Sequence, residues 1–314
     1  MTPQSKIDFG SIRVLDGGMA TELEQRGCDL SGPLWSAQVL DTAPETIAAV
    51  HLDALRAGAD CISTASYQVS AKGYREMGRT AQEAEQALQR SVEIAEQARR
   101  AYARESGRRV WIAVSLGPYG AALHNGAEYH GRYEIGFDEL TTFHAARLAV
   151  AARTSADVVA LETIPSLEEA RAILRALELV PQVTAAWISF TCRDGQHVAH
   201  GETMRDCAAA VADSPQVLAV GINCTAPHLI SGLIGEARRG AGRRKPLLVY
   251  PNSGEIWDAT TRNWRGKADT KRYGEMAREW FEAKVQAVGG CCRTGPAHIA
   301  EVVRAAKATA PRDR

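Results

Sequence analysis

Short apolar runs alternate with longer amphipathic stretches along the whole chain. Eight of the runs are rich in β-branched residues, at 13–16, 59–64, 110–115, 157–162, 184–190, 217–222, 246–250 and 287–290. Each is almost continuously apolar, the pattern of a strand buried on both faces, as in a parallel sheet. Between them, helical periodicity covers 44–56, 82–105, 137–153, 167–179, 203–212 and 272–284. Pro44 suits a first helical turn, and Gly58 follows the end of that helix. Thr203 is placed to cap its helix, and Ser166 with Glu169 has the spacing of a capping box. Eight buried strands with intervening helices predict an α/β fold, a (β/α)8 barrel of the TIM type. It would form a single domain over residues 1–314, with a core at about 11–308. An open doubly wound sheet is the alternative. Asp16-Gly17-Gly18-Met19-Ala20 lacks the glycine spacing of a dinucleotide-binding turn, and no P-loop is present.

In a barrel, chemistry sits at the C-terminal ends of the strands. Asp16 ends the first run, Tyr67 lies just past the second, and Ser115 ends the third. Glu162 ends the fourth, Asn223-Cys224 follows the sixth, Ser253 lies beyond the seventh, and Cys291-Cys292 follows the eighth. Three cysteines thus arrive at one rim from distant parts of the chain. Adjacent residues of a strand point to opposite faces. Gly289-Gly290 is therefore expected to supply an unusual backbone that turns both sulfurs toward one point. Three thiolates leave a fourth tetrahedral position on zinc open, the pattern of a catalytic rather than a structural site. The residues by themselves leave other readings open: a redox pair, chance, or buried small hydrophobes. Cys28, Cys61, Cys192 and Cys207 are read as the last of these. Asp16 and Glu162 could hold a substrate ammonium, act as acid and base, or cap a helix; their strand-end positions favour the first two. His51 and His144 fall mid-helix, and no His-x-x-x-His or His-x-His pair occurs.

Composition narrows the class. The 314 residues are 45% hydrophobic and 24% charged, as in ordinary globular proteins. Lys+Arg and Asp+Glu each count 37, which argues against nucleic acid or an anionic membrane as partner. The cluster Arg238, Arg239, Arg243, Arg244 and Lys245 is broken by glycines and reads as a solvated loop. Neither a signal peptide nor an apolar run of ~18 residues is visible, so a cytoplasmic location is expected. In a reducing compartment the seven cysteines are ligands, nucleophiles or buried hydrophobes rather than disulfides.

Several segments together carry a resemblance. They are Leu15-Asp16-Gly17-Gly18-Met19-Ala20-Thr21-Glu22-Leu23, Thr64-Ala65-Ser66-Tyr67-Gln68, Gly117-Pro118-Tyr119-Gly120 and Glu162-Thr163. Next come Gly221-Ile222-Asn223-Cys224, Tyr250-Pro251-Asn252-Ser253-Gly254-Glu255 and Gly289-Gly290-Cys291-Cys292-Arg293-Thr294. In this order they resemble the homocysteine S-methyltransferase family, most nearly its bacterial and plant members that use S-methylmethionine. The resemblance covers roughly residues 13–305. It implies a distorted (β/α)8 barrel whose Zn2+ is bound by Cys224, Cys291 and Cys292. It also implies methyl transfer from a sulfonium, S-methylmethionine or S-adenosylmethionine, to the thiol of homocysteine, giving methionine. In related betaine-using enzymes, carboxylates matching Asp16 and Glu162 hold the amino group of homocysteine. Backbone N–H groups at Gly18 and Met19 and the Ser253 hydroxyl are implied contacts of its carboxylate. Asn223 and Tyr67 complete the implied substrate set.

A cationic donor would favour aromatic faces, and Tyr67, Tyr119 and Trp257 are candidates. Cys292 is followed by 22 residues, shorter than the C-terminal arm of the betaine-using relatives. Further cobalamin-handling domains are also lacking. A small sulfonium donor and a monomer or small homo-oligomer are therefore expected. The stretch from Asp258 to Tyr273 matches no motif of the family and is expected to shape the donor pocket.

Overall fold

Seven of the eight apolar runs become strands of one parallel sheet. In the computed structural model, which describes residues 7–30, 32, 36–258, 263–266 and 268–310 (backbone alone at 36, 256–258 and 263–265), the strands in chain order are β1 (Cys61–Ser63), β2 (Trp111–Leu116), β3 (Val158–Ile164), β4 (Ala186–Phe190), β5 (Val217–Asn223), β6 (Leu247–Tyr250), β7 (Ile256–Asp258), β8 (Asn263–Arg265) and β9 (Ala287–Val288). The helices are α1 (Met19–Gln25), α2 (Ser36–Thr42), α3 (Pro44–Ala57), α4 (Ala71–Glu76), α5 (Ala81–Ser106), α6 (Phe137–Ala151), α7 (Leu167–Leu179), α8 (Met204–Ala212), α9 (Ile230–Ala241), α10 (Thr270–Glu282) and α11 (Pro296–Ala308). The sheet order is β1-β2-β3-β4-β5-β6-β9, every pair parallel, while β7 and β8 form a separate antiparallel hairpin.

The first run departs from expectation. It forms no strand of its own: Val14 bridges Val288, and Leu15 bridges Cys61. These two residues thus join both edges of the sheet, with Leu15 N–H donating to Val288 O at 2.9 Å and Asp60 N–H to Val14 O at 2.8 Å. The physical reason is a side chain. The N–H groups of Arg13 and Val14 donate to the Asp60 carboxylate at 3.0 and 2.9 Å, so the ladder stops there.

Alternate residues of the strands face two different cores. Ala113, Ala160, Trp187, Ala219, Leu248 and Ala287 pack together on one face of the sheet, where alanines make room for the buried Trp187 ring. Val114, Leu161, Ile188, Val220 and Val249 face the larger core beneath the helices. Burial on both faces is why the runs read as continuously apolar.

The helix ends follow local chemistry. Pro44 opens α3, and Gly58, at φ 109°, closes it in the left-handed region. Thr203 accepts from Asp206 N–H at 3.0 Å and caps α8. Ser166 accepts from Glu169 N–H at 3.2 Å, but the capping box is only half formed. The Glu169 carboxylate instead accepts from Tyr119 N–H at 2.6 Å, from the Tyr133 hydroxyl, and bonds His144 Nε2 at 2.9 Å.

The basic cluster also needs correction. Arg238 and Arg239 lie in the last turn of α9, a helix whose pattern is masked by Gly232, Gly235 and Gly240. A Cβ on Gly240 would sit 2.0 Å from Arg205 O, so that glycine lets α9 lie against α8. Arg238 donates to Gly242 O and Lys284 O, and Arg244 pairs with Asp213 at 2.5 Å. Among the described residues no helix is long and apolar enough to cross a membrane.

Candidate metal and substrate site

Cys224 follows β5, and Cys291 and Cys292 follow β9 in an irregular turn. Their three sulfurs all lie within 4.8 Å of one another, with Cys224 Sγ 3.5 Å from Cys292 Sγ. Backbone bonds fix the turn. Cys291 N–H donates to Pro251 O at 2.8 Å, Ser253 N–H to Cys292 O at 3.1 Å, and the Thr294 hydroxyl to Cys291 O at 2.7 Å. The two glycines before the pair serve a purpose other than the expected one. Neither has a positive φ; the left-handed residues are Cys224 at 49° and Arg293 at 66°. A Cβ on Gly289 would lie 2.6 Å from Leu15 Cβ, and one on Gly290 2.2 Å from Thr294 Oγ1. The glycines provide room, and the turn, not a twisted strand, gathers the sulfurs.

The thiols are coupled through their charge. Hydrogen bonds from Cys224 and Cys291 hold the Cys292 thiol well below its ordinary value, despite burial. Hydrogen bonding to Cys224, then to Cys292, together with burial keeps Cys291 well above it. One thiolate is therefore easily formed, and full ionisation needs a cation at the centre. Three soft thiol donors within 4.8 Å, with no histidine in the group, fit a soft divalent metal with one position left for substrate.

The sulfurs open onto a cavity of about 120 Å³. Asp16, Glu162, Tyr67, Asn223, Gly18 and Met19 also line it. Asp16 is buried and accepts from Ser63 N–H at 2.7 Å and from Ser63 Oγ at 3.1 Å. Burial outweighs those bonds and, with the nearby Glu162 charge, pushes its carboxyl up to about 7. Glu162 accepts from the Ser115 hydroxyl, and burial raises its carboxyl as well. Among the described residues no basic side chain pairs with either. Two buried carboxylates without a counterion suit a cationic ligand group.

The other expected residues serve varied ends. Asn223 spends its amide on Thr163: Thr163 N–H donates to Oδ1 at 2.8 Å, and Nδ2 donates to Thr163 Oγ1 at 2.9 Å. These bonds hold Thr163 at φ 62° beside Glu162, a conformation costing roughly 1–2 kcal/mol. Gly18 N–H donates to Thr294 O at 3.1 Å, so it ties α1 to the cysteine turn. Met19 begins α1 at the cavity wall. Ser253 is outside the lining; its hydroxyl donates to Glu255 at 3.0 Å. Tyr119 packs against Tyr133 and Phe143 and is also outside the lining. The Trp257 side chain and residues 259–262 lie outside the described residues. Tyr273 is buried beneath the turn, donating to Gly289 O at 2.7 Å and lying within 3.2 Å of Pro251 O.

The sequence reading missed Tyr129, whose hydroxyl lies 3.6 Å from Cys224 Sγ at the cavity wall. It belongs to the loop after β2. A barrel's chemistry concentrates in such loops, but no periodicity marks the residue within one.

A Cβ on Gly18 would lie 2.4 Å from the carbonyl oxygen of Cys291. Gly18→Ala is expected to displace the cysteine turn and weaken metal binding about 10–100-fold, the range for losing support of a ligand. Competition with a chromogenic chelator measures this; unchanged affinity would show that the turn yields freely.

A family model for homocysteine S-methyltransferases matches residues 13–306. The chain belongs to the homocysteine S-methyltransferase family. Among its relatives in that family is homocysteine S-methyltransferase YbgG of Bacillus subtilis (strain 168), 45% identical over 304 residues, 95% of this chain and 96% of the relative. A selenocysteine Se-methyltransferase of Brassica oleracea is 41% identical over 309 residues, 93% of this chain and 88% of the relative. The crystal structure of the homocysteine methyltransferase MmuM from Escherichia coli in its metallated form superposes with a TM-score of 0.83 at 40% identity. It covers 93% of this chain and 95% of that one. The match to the homocysteine S-methyltransferase family spans every strand of the parallel sheet and all three cysteines.

Proposed function

We propose that this protein is a zinc-dependent enzyme that moves a methyl group from a sulfonium donor, S-methylmethionine foremost, to the thiol of homocysteine. The fold is then a distorted (β/α)8 barrel, with the segment around Val14 and Leu15 in the place of a strand. The observation that carries this reading is the convergence of three cysteine sulfurs within 4.8 Å on a cavity that also holds two buried, unpaired carboxylates. The similar Escherichia coli structure is of a metallated form, and thiol donors suit zinc.

Cys224, Cys291 and Cys292 would hold the zinc, which when bound supplies the positive centre that ionises a substrate thiol and keeps it a nucleophile. A free thiol has a pKa of ~8.5, so without such help only a few per cent is thiolate at neutral pH. Asp16 and Glu162 take the ammonium group of homocysteine, and this anchors the amino acid end. Ser63, Ser115 and the Asn223–Thr163 pair keep the two carboxylates in place. Positioning of donor and acceptor supplies the rest of the acceleration, and no side chain needs to act as base in the transfer itself.

The test is methionine formation from homocysteine and S-methylmethionine with zinc-loaded protein. Stoichiometric methionine, two per donor consumed, is the expected result. Absence of product with metal bound would overturn the assigned substrates.

A further inference from the structure

The inner face of the sheet carries a hydroxyl that the mechanism has not used. Alternation along the strands puts Glu162 on the same face as Ala160, and Ser189 on the same face as Trp187. Leu161 pairs with Ile188 and Ile164 with Phe190, so Ser189 opposes the irregular step at Glu162 and Thr163. Tyr250 reaches this point from β6. Its hydroxyl donates to Ser189 Oγ at 2.8 Å and accepts from Trp187 Nε1–H at 3.1 Å. Gly221 lies between them on β5, where a Cβ would sit 2.1 Å from Ser189 Oγ, so its missing side chain leaves the path open. Tyr250, Glu162 and Asp16 all line the cavity.

These bonds fix which way the hydroxyl faces. A phenol offers one hydrogen and two lone pairs, and an indole N–H can only donate. The hydrogen of Tyr250 goes to Ser189, and one lone pair takes the Trp187 N–H. All three side chains are buried, so bulk water does not rearrange the set. Burial, and then the Glu162 charge, keep the hydroxyl well above its ordinary value, and it stays a neutral phenol. One lone pair is left, beside a carboxylate that only accepts when ionised. Two buried acceptors side by side call for a donor between them.

A primary ammonium brings three N–H groups. In the proposed reaction Asp16 and Glu162 take two of them, and the third has no assigned acceptor. We propose that the Tyr250 hydroxyl is that third acceptor, and that Asp16, Glu162 and Tyr250 together select a primary ammonium on the thiol substrate. The inference rests on the proposed reaction and adds a specificity-determining residue to it. A thiol acid without the amino group would leave the lone pair and both carboxylates without a donor. A secondary ammonium has only two N–H groups and would leave one acceptor unmet.

Calorimetry on zinc-loaded protein tests this with two ligands, homocysteine and deaminohomocysteine, which keeps the thiol and the carboxylate but has no amino group. The unaltered protein is expected to bind homocysteine on the order of 10²-fold more tightly. Tyr250→Phe keeps the ring and should lower homocysteine affinity about tenfold, the loss for one hydrogen bond to a charged group. Affinity for deaminohomocysteine and metal content should change less than about twofold. KM for homocysteine should rise by about the same tenfold factor, more than kcat falls. Ser189→Ala leaves the hydroxyl in place but frees its hydrogen to turn toward Glu162, and should weaken homocysteine alone, by a smaller factor. Equal losses for both ligands in a folded, metal-loaded Tyr250→Phe would make the hydroxyl a packing element and overturn the inference. No loss for either would do the same, and both results leave the proposed reaction standing. Equal binding of the two ligands by the unaltered protein, or binding of neither, would overturn the assignment of homocysteine's ammonium to this site, and this inference with it.

Discussion

Cys291→Ala should yield a folded protein that has lost both its metal and its turnover. The Cys291 side chain is partly exposed in a turn rather than packed into the core, so circular dichroism and thermal unfolding of the metal-free forms should differ little. Metal analysis should fall from about one zinc per chain to a small fraction, since two thiolates hold zinc far less tightly than three. The rate should drop on the order of 10²–10³-fold or more, the loss seen when one charge-stabilising group leaves a preorganised site. Full turnover in a variant shown to be metal-free would sink the proposed mechanism. So would retention of stoichiometric zinc with unchanged activity.

The second large effect concerns the carboxylates. Glu162→Gln keeps the shape and the contact with Ser115 but removes the charge. Losing one partner of a buried charge pair costs about 2–5 kcal/mol, so KM for homocysteine should rise on the order of 10²-fold. kcat should change less, because the ammonium lies away from the reacting sulfur. Initial rates at varied homocysteine separate the two; a pure kcat defect would speak for an acid–base role.

Asp16 gives the companion pH dependence. Burial pushes its carboxyl up to about 7 in the folded chain, against an ordinary value of 3.8. Between those values the folded state binds more protons than the unfolded one. The contribution of Asp16 to stability of the ligand-free protein therefore declines as pH rises from about 4 to about 7. An ammonium ligand favours the ionised form, so homocysteine binding should tighten over the approach to pH 7. Asp16→Asn should flatten both trends, which thermal melts and equilibrium titrations would show.

The strands were legible because burial on both faces leaves a nearly unbroken apolar run. The first run looked no different from the others. Its failure to extend depends on the Asp60 carboxylate reaching amides 46 and 47 residues away, a contact no local pattern announces. The capping box at Ser166 failed for a similar reason. Three groups from the loop after β2 and from α6 compete for the Glu169 carboxylate and win it from the helix end.

At the site, the cysteines and the two carboxylates could be found because strand ends mark them. Tyr129 could not, since its loop has neither helical nor strand periodicity. Gly289 and Gly290 were noticed, but the sequence does not tell a glycine needed for its dihedral from one needed for its missing Cβ. Leu15, remote in the chain, and Thr294, folded back by the turn, make the difference.

The join at Val14 and Leu15 has a thermodynamic consequence. A few backbone bonds connect this segment to Val288 on one side and to Cys61 on the other. Asp16 follows the join directly, while Cys291 and Cys292 extend from the strand it meets. A ligand gripped by Asp16 at one end and by the cysteine cluster at the other would act as a clasp across that slender seam. Its affinity would then add to the cohesion of the wall, and each departing product would briefly leave the wall unfastened.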